Sequence, residues 1–161
     1  MAANSYHFIT RWRLRATPEQ VYDIISEPLE FSRWWPSVYL GVEELEHGDA
    51  GGTGRRVRFH TRGWLPYTLR WESRATEAVR PRRLAICATG DFDGTGVWMF
   101  EPDREFVRVT FDWKLKAEKP LLRYLSFLLK PVFSANHRWA MKRGEESLRL
   151  ELARLSALTD L

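Results

Sequence analysis

Residues 105–116 read Glu-Phe-Val-Arg-Val-Thr-Phe-Asp-Trp-Lys-Leu-Lys, and apolar and polar side chains alternate along the whole stretch. One parity carries Val107, Val109, Phe111, Trp113 and Leu115. Successive side chains of a strand point to opposite faces, so this alternation predicts a strand with one buried face and one face in water. It is the last of a series, and a different pattern follows it.

Toward the N-terminus, the same alternation predicts six more strands, at residues 6–15, 38–46, 55–62, 66–79, 83–89 and 94–101. The later strands are separated by short stretches with turn chemistry: His47–Gly52, Arg80-Pro81, Asp93-Gly94 and Pro102-Asp103. Consecutive strands that are joined by short turns pair with their neighbours, which predicts one antiparallel sheet of seven strands.

Helical signals flank this series on both sides. Thr17, Pro18 and Gln20 have the spacing of a capping box with proline at the first helical position, and a further short helix or turn is expected over residues 29–34. After Pro120, a helical pattern continues to about residue 157, and Pro131 is expected to kink or interrupt it. Its inward stripe contains His137, Met141, Gly144, Leu148, Leu152 and Leu155, and Glu151 is expected to lie mostly away from that stripe.

Length and composition restrict the class of protein. The 161 residues, 44% of them hydrophobic and rich in aromatic side chains, exclude a disordered chain and predict a single domain over residues 1–161. A net charge of +4 argues against nucleic acid as a partner. The single cysteine, Cys87, excludes a disulfide scaffold and a multi-cysteine metal site, and we expect neither metal nor cofactor. Because no long apolar run is present, we expect a soluble, cytoplasmic protein.

Three passages resemble a known family: Ala16–Asp23, the tryptophan–proline segment Phe31–Pro36, and Asn136–Leu148. The chain resembles the START-like superfamily, also described as helix-grip, Bet v 1-like or SRPBCC, and is most similar to its polyketide cyclase/dehydrase and lipid-transport branch. The resemblance implies an α+β helix-grip fold. In that fold a curved seven-stranded antiparallel sheet wraps around a long C-terminal helix, with two short helices between strands 1 and 2. This fold serves carriers, receptors, cyclases and hydrolases, so it does not determine the chemistry.

A cavity between the sheet and the long helix is the expected binding site. Large inward side chains on the strands face small ones on the helix, and this pattern is also consistent with ordinary interlocked packing. The nominated ligand-binding residues are Tyr67, Trp71, Trp98, Phe111, Trp113, Asn136, His137, Ala140 and Met141. Of the pair Trp34 and Trp35, one is expected to anchor the short helices and the other to be exposed as a lid.

His137 is the histidine with a functional signal, because it lies on the inward stripe of the helix. It can act as an acid or base or hydrogen-bond a ligand, and the alternative is a histidine bonded to a sheet side chain. We expect His7, His47 and His60 to be in water, because strand parity or a turn places each of them outward.

The sequence favours binding of a hydrophobic small molecule, such as a lipid, a polyketide or an aromatic compound. The alternative is a polyketide cyclase/dehydratase-type enzyme that uses the same cavity, with His137, Tyr67 or an inward acid moving protons. A third hypothesis is an interaction module. Such a module would use one of two surfaces. The basic outer face of the sheet suits an acidic carrier protein or a membrane surface. The other surface is the apolar segment Leu121–Leu129, for which core packing, a homodimer contact and a membrane contact stay open.

Overall fold

The computed structural model describes residues 4–118 and 120–160, and within them the side chains of residues 121–129 lie outside the description. In the described residues the chain forms seven strands, three α-helices and one 3₁₀ turn. The strands are β1 Ser5–Leu14, β2 Tyr39–Glu46, β3 Arg56–Arg62, β4 Thr68–Val79, β5 Arg83–Gly90, β6 Phe92–Asp103 and β7 Phe106–Ala117. The helices are α1 Pro18–Ile25, α2 Phe31–Trp34 and α3 Pro120–Thr159, and the 3₁₀ turn Pro28–Glu30 precedes α2.

All seven strands belong to one antiparallel sheet, in the order β1-β7-β6-β5-β4-β3-β2. Strands β2 to β7 pair with their sequence neighbours, and β1 closes the sheet by pairing with β7, where Trp12 lies opposite Val109. On β7 the predicted inward residues Val107, Val109 and Phe111 are buried. The helix-grip architecture expected from the sequence is therefore confirmed, with strand ends shifted by one or two residues.

The capping box at the start of α1 is also confirmed. The backbone N–H of Gln20 donates to Thr17 Oγ1 at 3.2 Å, and the backbone N–H of Thr17 donates to Gln20 Oε1 at 2.8 Å. These two bonds satisfy N–H groups that a helix start otherwise leaves unpaired. The buried face of α1, which includes Val21 and Ile25, packs toward the sheet.

Helix α3 runs through Pro131 as one continuous helix, so the predicted interruption is wrong, whereas the kink offered as its alternative stays a prediction. A proline removes a single N–H donor, and the hydrogen bonds of the flanking turns keep a helix of this length together. Of the predicted stripe, Met141, Gly144 and Leu148 are buried, whereas Leu155 is 36% exposed. The last turns of α3 therefore extend beyond the sheet.

Both tryptophans of the Trp34-Trp35 pair are buried, which corrects the expectation that one of them is exposed. The short helix α2 lies between the sheet and α3, so neighbouring residues on it both meet protein. Gly144 of α3 is the reason that Trp35 fits. A Cβ at this position would lie 2.3 Å from Trp35 Cζ2, so only glycine permits this contact.

Glu151 is buried and faces α2, although the sequence placed it mostly away from the inward stripe. Arg33 of α2 donates two hydrogen bonds to its carboxylate, and Arg154 of α3 donates two more. First the hydrogen bonds from Arg33 and then those from Arg154 lower the pKa of Glu151 to about 2. The carboxylate is thus ionised at neutral pH and joins α3 to α2.

The outer face of the sheet carries paired charges. Arg56 and Arg58 both bond to Glu72, and Arg13 bonds to Asp103. His60 is only half-buried in this face but its Nε2 is shielded from solvent, so the prediction that it lies in water is wrong, whereas His7 and His47 are exposed as expected. Among the helices of the described residues, none is long and apolar enough to cross a membrane. The expectations for the side chains of Leu121–Leu129 lie outside the described residues.

Candidate functional site

A cavity of about 240 Å³ lies between the concave face of the sheet and α3. The structure places all nine residues nominated from the sequence in its wall: Tyr67, Trp71, Trp98, Phe111, Trp113, Asn136, His137, Ala140 and Met141. Strand parity and the helical stripe bring them together, because the sheet curves around the helix. A volume of this size is just below the usual range for small-molecule sites.

Aromatic rings form most of the sheet side of the cavity. Trp98 stacks on Phe111 with ring centres 4.1 Å apart and 17° between the planes, and Phe111 stacks on Trp113 at 5.3 Å. Phe59 lies 4.6 Å from Trp71 across the β3–β4 pair. Because each ring is held by its neighbours, the wall presents fixed apolar surfaces to the cavity.

Several wall residues were not nominated from the sequence. They share the inward parity of their strands or the stripe of α3, and they are Tyr6, Phe8, Tyr39, Phe59, Phe92 and Phe133. Strand parity identifies inward residues, but it does not separate residues that face a cavity from residues that fill the core. Arg55 also lines the cavity, and no local pattern indicated it.

Two polar side chains of the wall are engaged with the protein itself. Trp71 Nε1 donates to Thr61 Oγ1 at 3.1 Å within the β3–β4 pair. Asn136 Oδ1 accepts the backbone N–H groups of Trp64 at 2.8 Å and Leu65 at 3.3 Å. Asn136 therefore attaches the β3–β4 loop to α3 at the edge of the cavity.

His137 has no such engagement at Nε2. This atom is shielded from solvent and lacks a hydrogen-bond partner among the described residues. The imidazole lies flat against Phe8, with ring centres 4.2 Å apart and 17° between the planes. Burial, and after it the charge of Arg138, lower the pKa of His137 to about 4, so the ring is neutral at pH 7.

The tyrosines of the wall keep their protons at neutral pH. Burial, and after it the neighbouring Tyr6, raise the pKa of Tyr67 to about 12. Burial likewise raises the pKa of Tyr39 well above its usual range. At neutral pH the hydroxyl of Tyr67 can thus donate a hydrogen bond into the cavity, and it is a poor proton acceptor.

The charge of Arg55 is balanced where it meets the cavity. Its Nε donates to Glu44 Oε1 at 2.8 Å and its Nη2 donates to Glu27 Oε1 at 2.9 Å. The side chain is 14% exposed, so these bonds form largely out of water. Because Glu27 follows α1 and Glu44 lies on β2, Arg55 ties the short helices to the sheet at this end of the cavity.

Among residues 4–118 and 120–160, no three histidine, cysteine or carboxylate side chains come together in a way that could hold a metal ion. The described wall also contains no aspartate or glutamate. What the arrangement offers chemically is an apolar enclosure with a neutral imidazole and a phenolic hydroxyl.

Solved structures with the same fold include an aromatase/cyclase and a START superfamily protein. The Zhui aromatase/cyclase from Streptomyces sp. R1128 superposes with a TM-score of 0.70 at 17% identity, covering 93% of this chain and 94% of that one. A START superfamily protein from Mycobacterium smegmatis has a TM-score of 0.75 at 12% identity, with 92% and 98% covered. The protein TTHA0849 from Thermus thermophilus has a TM-score of 0.70 at 20% identity, with 88% and 96% covered. At these identities the likeness shows the fold.

A search of the curated proteins finds none that matches this chain in sequence. A family model does match, and it spans residues 9–157, which is nearly the whole chain and includes β1, the short helices, the sheet and most of α3. The family is described as polyketide cyclase / dehydrase and lipid transport. Because this model matches nearly the whole chain, the chain belongs to the polyketide cyclase / dehydrase and lipid transport family.

Proposed function

We propose that this protein binds a hydrophobic small molecule, such as a lipid, a polyketide or an aromatic compound, in the cavity between the sheet and α3. The observation that carries the proposal is the cavity itself, which is lined by stacked aromatic rings on the sheet side and by residues such as the small Ala140 on the helix side. Membership of a family that includes lipid transport agrees with it.

Burial of apolar surface supplies the binding free energy. An aromatic group of the size of a tryptophan side chain buries roughly 200 Å², and at about 25 cal/mol per Å² this contributes about 5 kcal/mol. Such a value corresponds to submillimolar affinity before the costs of association are subtracted. Tighter binding therefore needs a more extended ligand or a few well-placed hydrogen bonds.

The test is ligand binding by the protein and by two matched variants. Native mass spectrometry, followed by organic extraction, identifies any molecule that co-purifies. Titration with the neutral fluorescent probe N-phenyl-1-naphthylamine then measures the affinity of the delipidated protein. Ala140→Phe places a ring in the cavity, whereas Ala153→Phe places the same ring on an exposed position of α3.

We expect saturable probe binding by the wild type and by Ala153→Phe, and an affinity at least about tenfold lower for Ala140→Phe, which is a loss of about 1.4 kcal/mol. Probe binding that Ala140→Phe leaves unchanged would place the site elsewhere and contradict the proposal. An absence of both probe binding and co-purified molecules in the wild type would do the same.

The second candidate is a cyclase/dehydratase-type enzyme that acts on a polyketide in the same cavity. The position of His137 and Tyr67 in the wall favours it, because the pair offers a proton acceptor and a proton donor. Their pKa values of about 4 and about 12 both lie far from neutrality, and efficient proton transfer needs values near the working pH. We therefore rank ligand binding above catalysis.

Mass spectrometry of the released ligand separates the two candidates. A carrier returns a molecule of unchanged structure, so extraction before and after incubation yields the same compound. An enzyme returns a rearranged or dehydrated product, and His137→Phe would then abolish the conversion while it retains binding. Conversion by the wild type would make the enzyme the first candidate.

A further inference from the structure

Some polar groups in the wall of the cavity are hydrogen-bonded within the protein, and others are not. Trp71 Nε1 is bonded to Thr61, Asn136 Oδ1 is bonded to the β3–β4 loop, and Arg55 is bonded to two glutamates. Buried polar atoms are nearly always hydrogen-bonded in folded proteins. His137 Nε2 departs from this rule within the described residues, because it is shielded from solvent and has no partner.

Packing fixes the direction in which His137 presents this atom. One face of the imidazole is covered by Phe8 of β1 at a centre-to-centre distance of 4.2 Å. Asn136, the preceding residue on α3, is held by its bonds to Trp64 and Leu65. The ring therefore has little freedom to turn Nε2 toward water, and it is held in the wall of the cavity.

A second unpaired nitrogen in the wall, Trp35 Nε1, is a weaker candidate for a ligand contact. Its ring rests on α3 at Gly144, where a Cβ would lie 2.7 Å from Trp35 Cε2, the carbon bonded to that nitrogen. The helix backbone thus covers this edge of the indole.

The charge of the wall restricts the ligand further. Arg55 is balanced by Glu27 and Glu44, and Arg62, the other charged residue of the described wall, is exposed. Next to His137 there is no cationic side chain in the described wall that could pair with a carboxylate, and the imidazole itself is neutral at pH 7. A charge that is buried without a partner is strongly disfavoured.

We propose that the cavity selects an uncharged aromatic or alicyclic molecule that carries a hydroxyl or carbonyl group, and that His137 Nε2 hydrogen-bonds this group. The inference rests on the proposed binding function and specifies its ligand class. A neutral imidazole nitrogen donates in one tautomer and accepts in the other, so either polar group satisfies it. A ligand that lacks the group leaves the nitrogen unpaired and loses the corresponding affinity.

Three ligands of nearly equal shape test the proposal by displacement of N-phenyl-1-naphthylamine: naphthalene, 2-naphthol and 2-naphthoic acid at neutral pH. In the wild type we expect 2-naphthol to bind at least about tenfold more tightly than naphthalene. We expect the naphthoate anion to bind at least about tenfold more weakly than 2-naphthol, because its charge has no buried partner.

Variants of His137 assign the preference to this residue. His137→Phe keeps a ring against Phe8 and removes the nitrogen, so the two neutral ligands are expected to bind it equally, with the affinity for naphthalene unchanged. His137→Gln supplies an amide in the same region and is expected to restore part of the preference. Ala153→Phe, at an exposed position of α3 outside the cavity wall, is the matched control and is expected to leave the preference intact.

The possible outcomes distinguish a failure of this proposal from a failure of the proposed binding function. Equal binding of naphthalene and 2-naphthol by the wild type, or a preference that persists in His137→Phe, would overturn the assignment to His137 while cavity binding stands. Tightest binding of the naphthoate would overturn the neutral ligand class. Failure of the wild type to bind the probe and all three ligands would contradict both proposals together.

Discussion

The contact between α3 and the sheet has two ends that contain similar large apolar side chains but differ in how tightly these side chains pack. At one end, Leu14, Phe100 and Leu148 are each at most 1% exposed and lie outside the cavity wall. Trp35, which lies on Gly144, forms the boundary, because it packs at this end and also lines the cavity. At the other end, Phe8, Trp113 and His137 border a cavity. We call these the packed end and the cavity end.

The difference lies in what covers the sheet. At the packed end, α1 and α2 contribute large side chains, among them Tyr22, which meets Phe100 at 5.5 Å, and Trp35, which meets Trp12 at 6.3 Å. At the cavity end, His137, Ala140 and Met141 of α3 form the helix side of the wall. Inward aromatic residues on strands therefore produce a solid core or a binding site according to the helices opposite them.

The largest expected effect is that of Phe100→Ala at the packed end. Removing this fully buried ring, which lies outside the cavity wall, opens a new void and should lower the free energy of unfolding by about 3–5 kcal/mol. Phe133→Ala at the cavity end should cost less than half as much, because Phe133 is half-buried and already borders open space. Urea unfolding of both variants measures the costs, and equal losses would contradict the division into two ends.

The cavity end should also respond to pH through His137. Its pKa is lowered from 6.5 to about 4 in the folded protein, so the unfolded chain binds the proton first as the pH falls. The stability that His137 provides in its neutral form is present above about pH 6.5 and is lost as the pH falls toward 4. Between about pH 7 and about pH 5 this amounts to about 2 kcal/mol.

Urea unfolding at a series of pH values, with His137→Phe as the comparison, measures this contribution. The variant should lose less stability than the wild type over that interval. Glu151, at the packed end, contributes to stability in a lower pH range. Its pKa is lowered from 4.5 to about 2, so its stabilisation is lost as the pH falls through that range. Parallel pH profiles for the wild type and His137→Phe would refute the assignment.

Enlarging a small side chain of α3 should have different consequences at the two ends. Gly144→Ala forces a Cβ against Trp35 and should cost about 1 kcal/mol net, since strain of about 1–3 kcal/mol is partly offset by the better helix propensity of alanine. Ala140→Leu, one turn away and facing the cavity, should change stability by at most about 0.5 kcal/mol. Thermal or urea unfolding checks both, and a stabilised Gly144→Ala would show that Trp35 has room to move.

The most local effect is expected at the β3–β4 loop. A Cβ at Gly63 would lie 2.1 Å from Asn136 Oδ1, so Gly63→Ala displaces the Asn136 side chain from Trp64 and Leu65. The loss of partly exposed hydrogen bonds should cost at most about 1 kcal/mol. Hydrogen exchange at the Trp64 and Leu65 amides should nevertheless accelerate in Gly63→Ala and in Asn136→Ala alike. Unchanged exchange in both variants would mean that other contacts hold the loop.

The fold was largely readable from the sequence because its signals are local. Alternation predicted the strands to within two residues, and the spacing of Thr17 and Gln20 predicted the first helix with its cap. Signals that depend on distant partners were missed. Glu151 is buried because Arg33, 118 positions earlier, reaches it, and no pattern within α3 contains that information.

The site could be predicted in part, because some of its signals are local as well. Strand parity and the helical stripe nominated nine residues, and all nine face the cavity, although their roles in binding stay predictions. Whether large inward residues leave a space depends on α2, whose two tryptophans both fill the packed end. Arg55 was not predicted to line the cavity, because its partners Glu27 and Glu44 lie in other parts of the chain.

The aromatic wall also makes the protein its own spectroscopic sensor. Of the eight tryptophans, Trp35, Trp71, Trp98 and Trp113 line the cavity. Trp71 and Trp113 lie 5.9 Å apart, and Trp98 lies 5.6 Å from Trp12, distances at which indole transitions couple. Occupation of the cavity should therefore change both the emission intensity and the near-ultraviolet circular dichroism of the unlabelled protein, so ligand libraries can be screened without a reporter dye.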